Sequence, residues 1–121
     1  MAKKKRKKRT RKPYTGKNRH HLLFQARYWS KGDAKILHNQ FVYLLDVKIH
    51  DELHNAVLKN ITKPSSDAIR SILNAFYEQR REIERLDIVG ASEWLQNACV
   101  EEPFHSQMQV QTIFLKERLK K

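Results

Sequence analysis

Apolar residues recur at every fourth position in the segment that follows Asp46. Asp46 is a residue type that commonly caps a helix N-terminus. The residues just before it, QFVYLL at 40–45, are β-branched and aromatic, which favours a strand. The sequence therefore predicts a strand over 40–45 that leads directly into a helix over 46–61. The helix would present one apolar face, formed by Ile49, Leu53, Val57 and Ile61.

The rest of the chain after Pro64 has the spacing of further helices. One helix is predicted to begin near Ser65 and to run to about residue 86, and a shorter one is predicted to be capped by Ser92. Pro103 separates that helix from a last segment. In the last segment an alternating pattern competes with a helical one, and we favour a helix. A strand-containing first half and a helical second half predict an α+β fold.

Basic residues are concentrated at the N-terminus. The chain has 121 residues, with 25 Lys and Arg against 13 Asp and Glu, and nine of the ten residues from Lys3 to Lys12 are basic. Such a run cannot bury apolar surface, so we expect a disordered basic arm over 1–13 and a single domain over 14–121. A net charge of +12 points to a polyanionic partner such as nucleic acid. The candidate phosphate contacts in the arm are Lys3, Lys4, Lys5 and Arg6.

Other features exclude some classes of protein. No apolar run approaches the roughly 20 residues that would cross a bilayer, and the basic start lacks the apolar core of a secretory signal. We therefore expect a soluble, cytoplasmic protein with no membrane partner. The single cysteine, Cys99, cannot form an internal disulfide and lies among apolar residues, so we predict a buried thiol.

Four histidines suggest a metal site. His50 and His54 are four apart on the predicted helix, so both imidazoles would project from one face and reach the same divalent ion. His20 and His21 are adjacent on a second predicted strand, over 19–24. Neighbouring strand residues point to opposite faces, so only one of them would join the helical pair.

These residues, taken with Asn39 and the pattern "HHLLF … HNQFVYLLDVKIHDELH", resemble the HNH, or ββα-metal, endonuclease family. The similarity is greatest to the nuclease domains of DNase colicins. It implies a ββα-metal unit over 18–61, packed against about three further helices over 64–121. By the same resemblance His20, His50 and His54 would be metal ligands and His21 the general base. Asn39 would orient the base and its loop.

The resemblance also implies a function, namely metal-dependent hydrolysis of DNA phosphodiester bonds with little sequence specificity. The compactness of the chain suggests that a phage or other mobile element encodes it. Imidazole ligands suit zinc or nickel better than magnesium or manganese, although all four remain candidate cofactors. A neutral histidine, with a reference pKa of about 6.5, is suited to accept a proton from water near neutral pH.

Residues near these histidines are candidates for nucleic-acid contacts. Tyr28 and Trp29 would either pack in the core, which we favour, or stack on a base. His38 and His105 lie outside the motif, so we interpret them as surface or capping residues. The irregular composition of residues 25–38 suggests a loop that contains at most one helical turn. The basic candidates near the site are Arg19, Arg27, Lys31, Lys35 and Lys48.

Two other interpretations fit the same composition. In one, the fold is retained without catalysis, in a basic nucleic-acid-binding or inhibitor protein whose ion, if any, is structural. In the other, the histidines are incidental and the arm of a helical protein binds RNA or the ribosome.

Overall fold

Two antiparallel strands and six α-helices make up the fold within residues 16–57 and 60–120, which the computed structural model describes. A short 3-10 helix, Ala26–Trp29, follows the first strand. The predicted α+β class is confirmed, and helices form most of it. The predicted arm over 1–13 lies outside the described residues. In chain order the elements are β1 (Lys17–His21), α1 (Gly32–Gln40), β2 (Val42–Asp46), α2 (Val47–Ala56), α3 (Ser66–Glu78), α4 (Arg80–Glu84), α5 (Ile88–Ala98) and α6 (Phe104–Leu119).

The two strands form a hairpin that continues without a loop into α2. His20 on β1 lies opposite Tyr43 on β2, and Lys17 lies opposite Asp46. Asp46 is at the N-cap position of α2, as predicted, but its side chain makes no capping hydrogen bond. Its carboxylate instead lies 3.1 Å from the Lys17 ammonium. Because β2 ends where α2 begins, α2 packs back against both strands.

The connection between the strands differs from the prediction. β1 ends at His21 rather than at residue 24, and residues 22–24 are buried. The segment predicted as a loop over 25–38 contains the 3-10 helix and α1. Only Ala34, Leu37 and His38 of α1 are buried, so the helix leaves little apolar periodicity in the sequence. Packing against α3 stabilises this helix, and the sequence pattern of α1 alone does not reveal that contact.

Helix α2 is shorter than predicted. It ends at Ala56, and Val57 has extended backbone angles, while residues 58–59 of the predicted helix lie outside the described residues. Val57 and Ile61 are nevertheless buried, as the apolar spacing suggested. The Ile61 amide donates to the Phe24 carbonyl, and the Ile61 carbonyl accepts from the Trp29 indole at 3.1 Å. These tertiary hydrogen bonds replace those of another helical turn.

The helical second half follows the prediction in outline. The hydroxyl of Ser65 accepts a hydrogen bond from the Ala68 amide at 3.1 Å, so the predicted cap is confirmed. The predicted helix over 65–86 is divided at Gln79 into α3 and α4. The prediction that Ser92 caps α5 is wrong, because the cap is Asp87, which accepts from the Gly90 amide at 2.8 Å. The last segment is a helix, as favoured.

The core lies between the hairpin and the helices, and α5 and α6 pack most extensively on each other. Cys99 is buried, as predicted, and burial raises the pKa of its thiol. Trp29 is fully buried, which confirms the favoured core position, whereas Tyr28 is exposed, so the same prediction is wrong for Tyr28. Within residues 16–57 and 60–120, no helix combines the length and the apolar character that crossing a bilayer requires. The largest fully buried side chains are Trp29, Phe41, Phe104, Leu22, Leu23, Leu37, Leu53, Ile61, Ile72, Leu95, Met108 and Leu115.

Candidate metal centre

Three histidines from two elements meet at one point. His20 lies near the end of β1, and His50 and His54 lie one turn apart on α2. One ring nitrogen from each residue falls within 4.8 Å of the others. The ring centroids are 5.2 Å apart for His20 and His50 and 4.6 Å apart for His50 and His54. These three residues could hold a metal ion.

Helix α2 is held in the orientation that aims its histidines at the hairpin. Leu53, on the same side of the helix, is fully buried. Glu52 forms an ion pair with Arg118, which ties α2 to α6. The centroids of the Phe24 and His54 rings are 4.3 Å apart, and Phe24 forms an apolar wall beside the cluster. The site is therefore supported by α6 and by the buried segment after β1, as well as by the hairpin.

Gln111 on α6 determines which nitrogen of His20 is available. The Nε2 atom of His20 lies 2.8 Å from the Gln111 Oε1 atom, and the Gln111 Nε2 atom donates to the Leu22 carbonyl at 3.1 Å. The Gln111 oxygen can only accept, so His20 Nε2 carries the proton and donates it. His20 Nδ1 therefore carries a lone pair. This arrangement is typical of histidine ligands whose second nitrogen is held by a neighbouring acceptor.

The donor atoms fit a metal ion. His20 Nδ1 is buried and has no hydrogen-bond partner among the described residues, and the same is true of His50 Nδ1. A buried polar atom without a partner is costly, and coordination of a cation would remove that cost. A set of neutral imidazoles suits zinc, nickel and other transition metals.

The protonation state of the cluster also suits a cation. Burial lowers the pKa of His20 from 6.5 to about 3, against the hydrogen bond to Gln111, which raises it. Burial likewise lowers the pKa of His50 and of His54, while nearby Asp51 raises both. All three rings are therefore neutral at pH 7, as metal coordination requires.

His21 lies in the same cleft but outside the cluster. The cleft has a volume of about 320 Å³, and its lining includes all four histidines together with His38 and Arg19. His21 is partly buried, and its ring stacks on the His38 ring with centroids 4.1 Å apart. Burial lowers the pKa of His21, and the neighbouring His38 and Arg19 lower it further. His20 and His21 thus have different surroundings within one cleft.

The other predicted site residues are more dispersed. Asn39 is exposed on the last turn of α1 and is not among the described residues that line the cleft. Arg27 lies on the 3-10 helix, with its guanidinium 5.0 Å from the Tyr28 ring centroid. Lys35 and Lys48 are exposed on α1 and α2, and neither lines the cleft as described. The four predicted phosphate contacts of the basic arm lie outside the described residues. They are Lys3, Lys4, Lys5 and Arg6.

Two residues of the site were missed in the sequence. His38, interpreted as a surface or capping residue, is buried beside His21. Gln111 had a weak signal, because it occupies the apolar stripe of α6 formed by Phe104, Met108 and Leu115. A glutamine at a core position of a helix indicates a buried hydrogen-bond partner, but the sequence does not say which one. His105, by contrast, caps α5 as expected, with Nδ1 2.9 Å from the Gln96 carbonyl.

Comparisons of the chain with protein-family models, with curated proteins and with solved structures find no significant match.

Proposed function

We propose that this protein is a metal-dependent endonuclease of the HNH type that hydrolyses phosphodiester bonds in DNA. The observation that carries the proposal is the convergence of His20, His50 and His54, with His21 in the same cleft. Two buried ring nitrogens of the cluster lack partners among the described residues, which supports a metal site over incidental histidines. In this proposal β1, β2 and α2 correspond to the ββα-metal unit, and α1 is an insertion between its strands.

The residues divide into ligands and a base. His20, His50 and His54 would hold the ion through neutral imidazoles. A divalent ion bound there would neutralise charge that develops on the phosphate and on the leaving oxygen. His21, neutral at pH 7 because burial lowers its pKa, would accept a proton from the attacking water through a ring nitrogen. A bond would form between the water oxygen and phosphorus while the bond between phosphorus and the leaving oxygen breaks.

Charge near the cleft suits a phosphate backbone. Arg19 is exposed and lines the cleft, and in this proposal its guanidinium would contact a phosphate beside the histidines. Arg27 is exposed on the 3-10 helix that begins with Ala26, which also lines the cleft. Together with the basic run at the N-terminus, these cations would provide affinity that depends on salt and little on sequence.

Plasmid nicking tests this function. The protein, treated with a chelator and then supplied with Zn²⁺, Ni²⁺, Mn²⁺ or Mg²⁺ in turn, should nick supercoiled DNA with at least one ion. His21→Ala should lower the nicking rate by about 100-fold or more, because a general base contributes about that much. Metal binding, measured by calorimetry, should be nearly unchanged, because His21 lies outside the cluster.

His105→Ala is the matched control, since it removes an imidazole that lies outside the cleft. It should nick DNA at the rate of the unaltered protein. Nicking by His21→Ala at the unaltered rate would contradict the proposed base. DNA binding without cleavage at any of the four ions would contradict the endonuclease and favour the non-catalytic alternative, a basic nucleic-acid-binding or inhibitor protein.

A further inference from the structure

The His38 ring is fixed by a hydrogen bond to the segment after β1. His38 lies in the last turn of α1 and is only 7% exposed. Its Nδ1 atom lies 2.6 Å from the Leu23 carbonyl oxygen. A carbonyl oxygen only accepts, so Nδ1 carries a proton and donates it. This hydrogen bond sets the rotation of the His38 ring about its Cβ–Cγ bond.

The His21 ring has no comparable hydrogen bond. Burial and the charges of His38 and Arg19 act on the His21 ring, with no hydrogen bond from a described residue among the influences on its pKa. The ring lies face to face with His38 at an interplanar angle of 7°. Rotation of a histidine ring about the Cβ–Cγ bond has broad energy minima, so the ring plane must be set by its neighbours. The stacked His38 face restricts the plane of the His21 ring.

We propose that His38 is a positioning residue that holds the His21 ring in the orientation needed to accept a proton from water. The inference rests on the proposed nuclease function for its catalytic consequence, although the orientation itself can be tested separately. The hydrogen bond to the Leu23 carbonyl holds the His38 ring, and the stacked His38 ring in turn holds the His21 ring. This arrangement also gives α1 a role in the cleft, because α1 carries His38 to the hairpin.

A purely structural role for His38 makes a different prediction. Ala34 and Leu37 already supply the apolar contacts of α1. If His38 only tied α1 to Leu23, any side chain that donates a hydrogen bond from the position of Nδ1 would replace it. If His38 positions His21, the flat ring is required as well. Variants that separate the hydrogen bond from the ring therefore distinguish the two roles.

His38→Asn retains a donor near the position of Nδ1 and removes the ring. We expect kcat for plasmid nicking to fall by about 10- to 100-fold, because misplacement of a reacting group by about 1 Å has effects of this size. KM and the affinity for Zn²⁺ should be unchanged. His38→Phe retains a flat ring without the donor and should be several-fold faster than His38→Asn per folded molecule. Gln40→Ala, at the exposed end of the same helix, is the control and should match the unaltered protein.

A kcat for His38→Asn equal to that of the unaltered protein would overturn the proposal, as would a folded His38→Phe no faster than His38→Asn. NMR of the His21 ring gives a readout that does not depend on nuclease activity. The His21 side chain should populate one ring orientation in the unaltered protein and several in His38→Asn. If the unaltered protein proved inactive, this measurement would still decide the positioning role, and a His21 ring equally ordered in both proteins would overturn it.

Discussion

His20 is fully buried, and its two ring nitrogens have different partners. Nε2 donates to Gln111, whereas Nδ1 is buried and has no partner among the described residues. Nδ1 is therefore the nitrogen that His20 has free for an ion shared with His50 and His54. Leaving a buried polar group unpaired costs about 1–3 kcal/mol. The cluster therefore lowers stability in the absence of a ligand and would gain stability from a cation that binds its nitrogens.

Replacing Gln111 should weaken metal binding without touching a ligand. Gln111→Leu removes the acceptor for His20 Nε2, so the ring is no longer held in the tautomer that exposes Nδ1. We expect the affinity for Zn²⁺, measured by competition with a chromogenic chelator, to fall by about 10- to 100-fold, as is typical when a partner of a ligating histidine is lost.

Gln107→Leu is a matched control for this substitution. Gln107 is also a buried glutamine on α6, but its side-chain oxygen accepts from the Thr62 amide at 2.7 Å, away from the histidines. Its loss should reduce stability and leave the affinity for Zn²⁺ unchanged. Equal loss of affinity in the two variants would show that Gln111 has no specific effect on His20.

Helix α6 links the hairpin to the helical half of the molecule. One face of it carries Gln111, which reaches His20, and the next residue, Thr112, faces α5. The Thr112 hydroxyl donates to the Met108 carbonyl at 2.9 Å, so it accepts from the Ser92 hydroxyl, which is 2.7 Å away. The buried pair therefore joins α5 to the turn of α6 that carries Gln111.

A double-mutant cycle should detect this contact between the helices. Thr112→Val leaves the buried Ser92 hydroxyl without its acceptor and should lower the free energy of unfolding by about 1–3 kcal/mol. The double variant Ser92→Ala with Thr112→Val removes both hydroxyls and should recover part of that loss. Urea denaturation of the unaltered protein, Ser92→Ala, Thr112→Val and the double variant measures the coupling free energy. Strictly additive losses would contradict a direct Ser92–Thr112 interaction.

For the molecule as a whole, the depressed histidine pKa values make stability depend on pH. The unfolded chain has histidine pKa values near 6.5, whereas the folded value for His20 is about 3, and those of His21, His50 and His54 are also lowered. Between these values the unfolded chain binds more protons than the folded one. The contribution to stability is therefore fully present above about pH 6.5 and is lost progressively as the pH falls toward 3.

We expect the urea midpoint of the metal-free protein to fall steadily as the pH is lowered from 7 to 4. His54→Asn should reduce the slope of this dependence, since it removes one of the depressed groups. His105→Ala, which removes an imidazole outside the cluster, should retain the slope of the unaltered protein. A midpoint independent of pH over this range would mean that the four histidines are not kept neutral by burial.

Much of the site was predictable because its residues are encoded locally. The i, i+4 spacing of His50 and His54 places both on one helix face whatever surrounds them, and alternation along a strand separates His20 from His21. The Ser65 cap and the last helix were also predicted from neighbouring residues. The Ser92 cap was wrong because a local cap at Asp87 begins the helix earlier in the chain. The extent of α2 was wrong because tertiary hydrogen bonds of Ile61 with Phe24 and Trp29 replace those of a further helical turn.

The sequence by itself placed His50 and His54 on one helix face and separated His20 from His21, because helical and strand periodicities follow from backbone geometry alone. Only the tertiary structure decided that Gln111 meets His20, 91 positions away in the chain, and that His38 lies against His21. Contacts of this kind depend on how α1 and α6 pack on the hairpin. Packing is decided by the fit of many buried side chains at once, which no short stretch of sequence encodes.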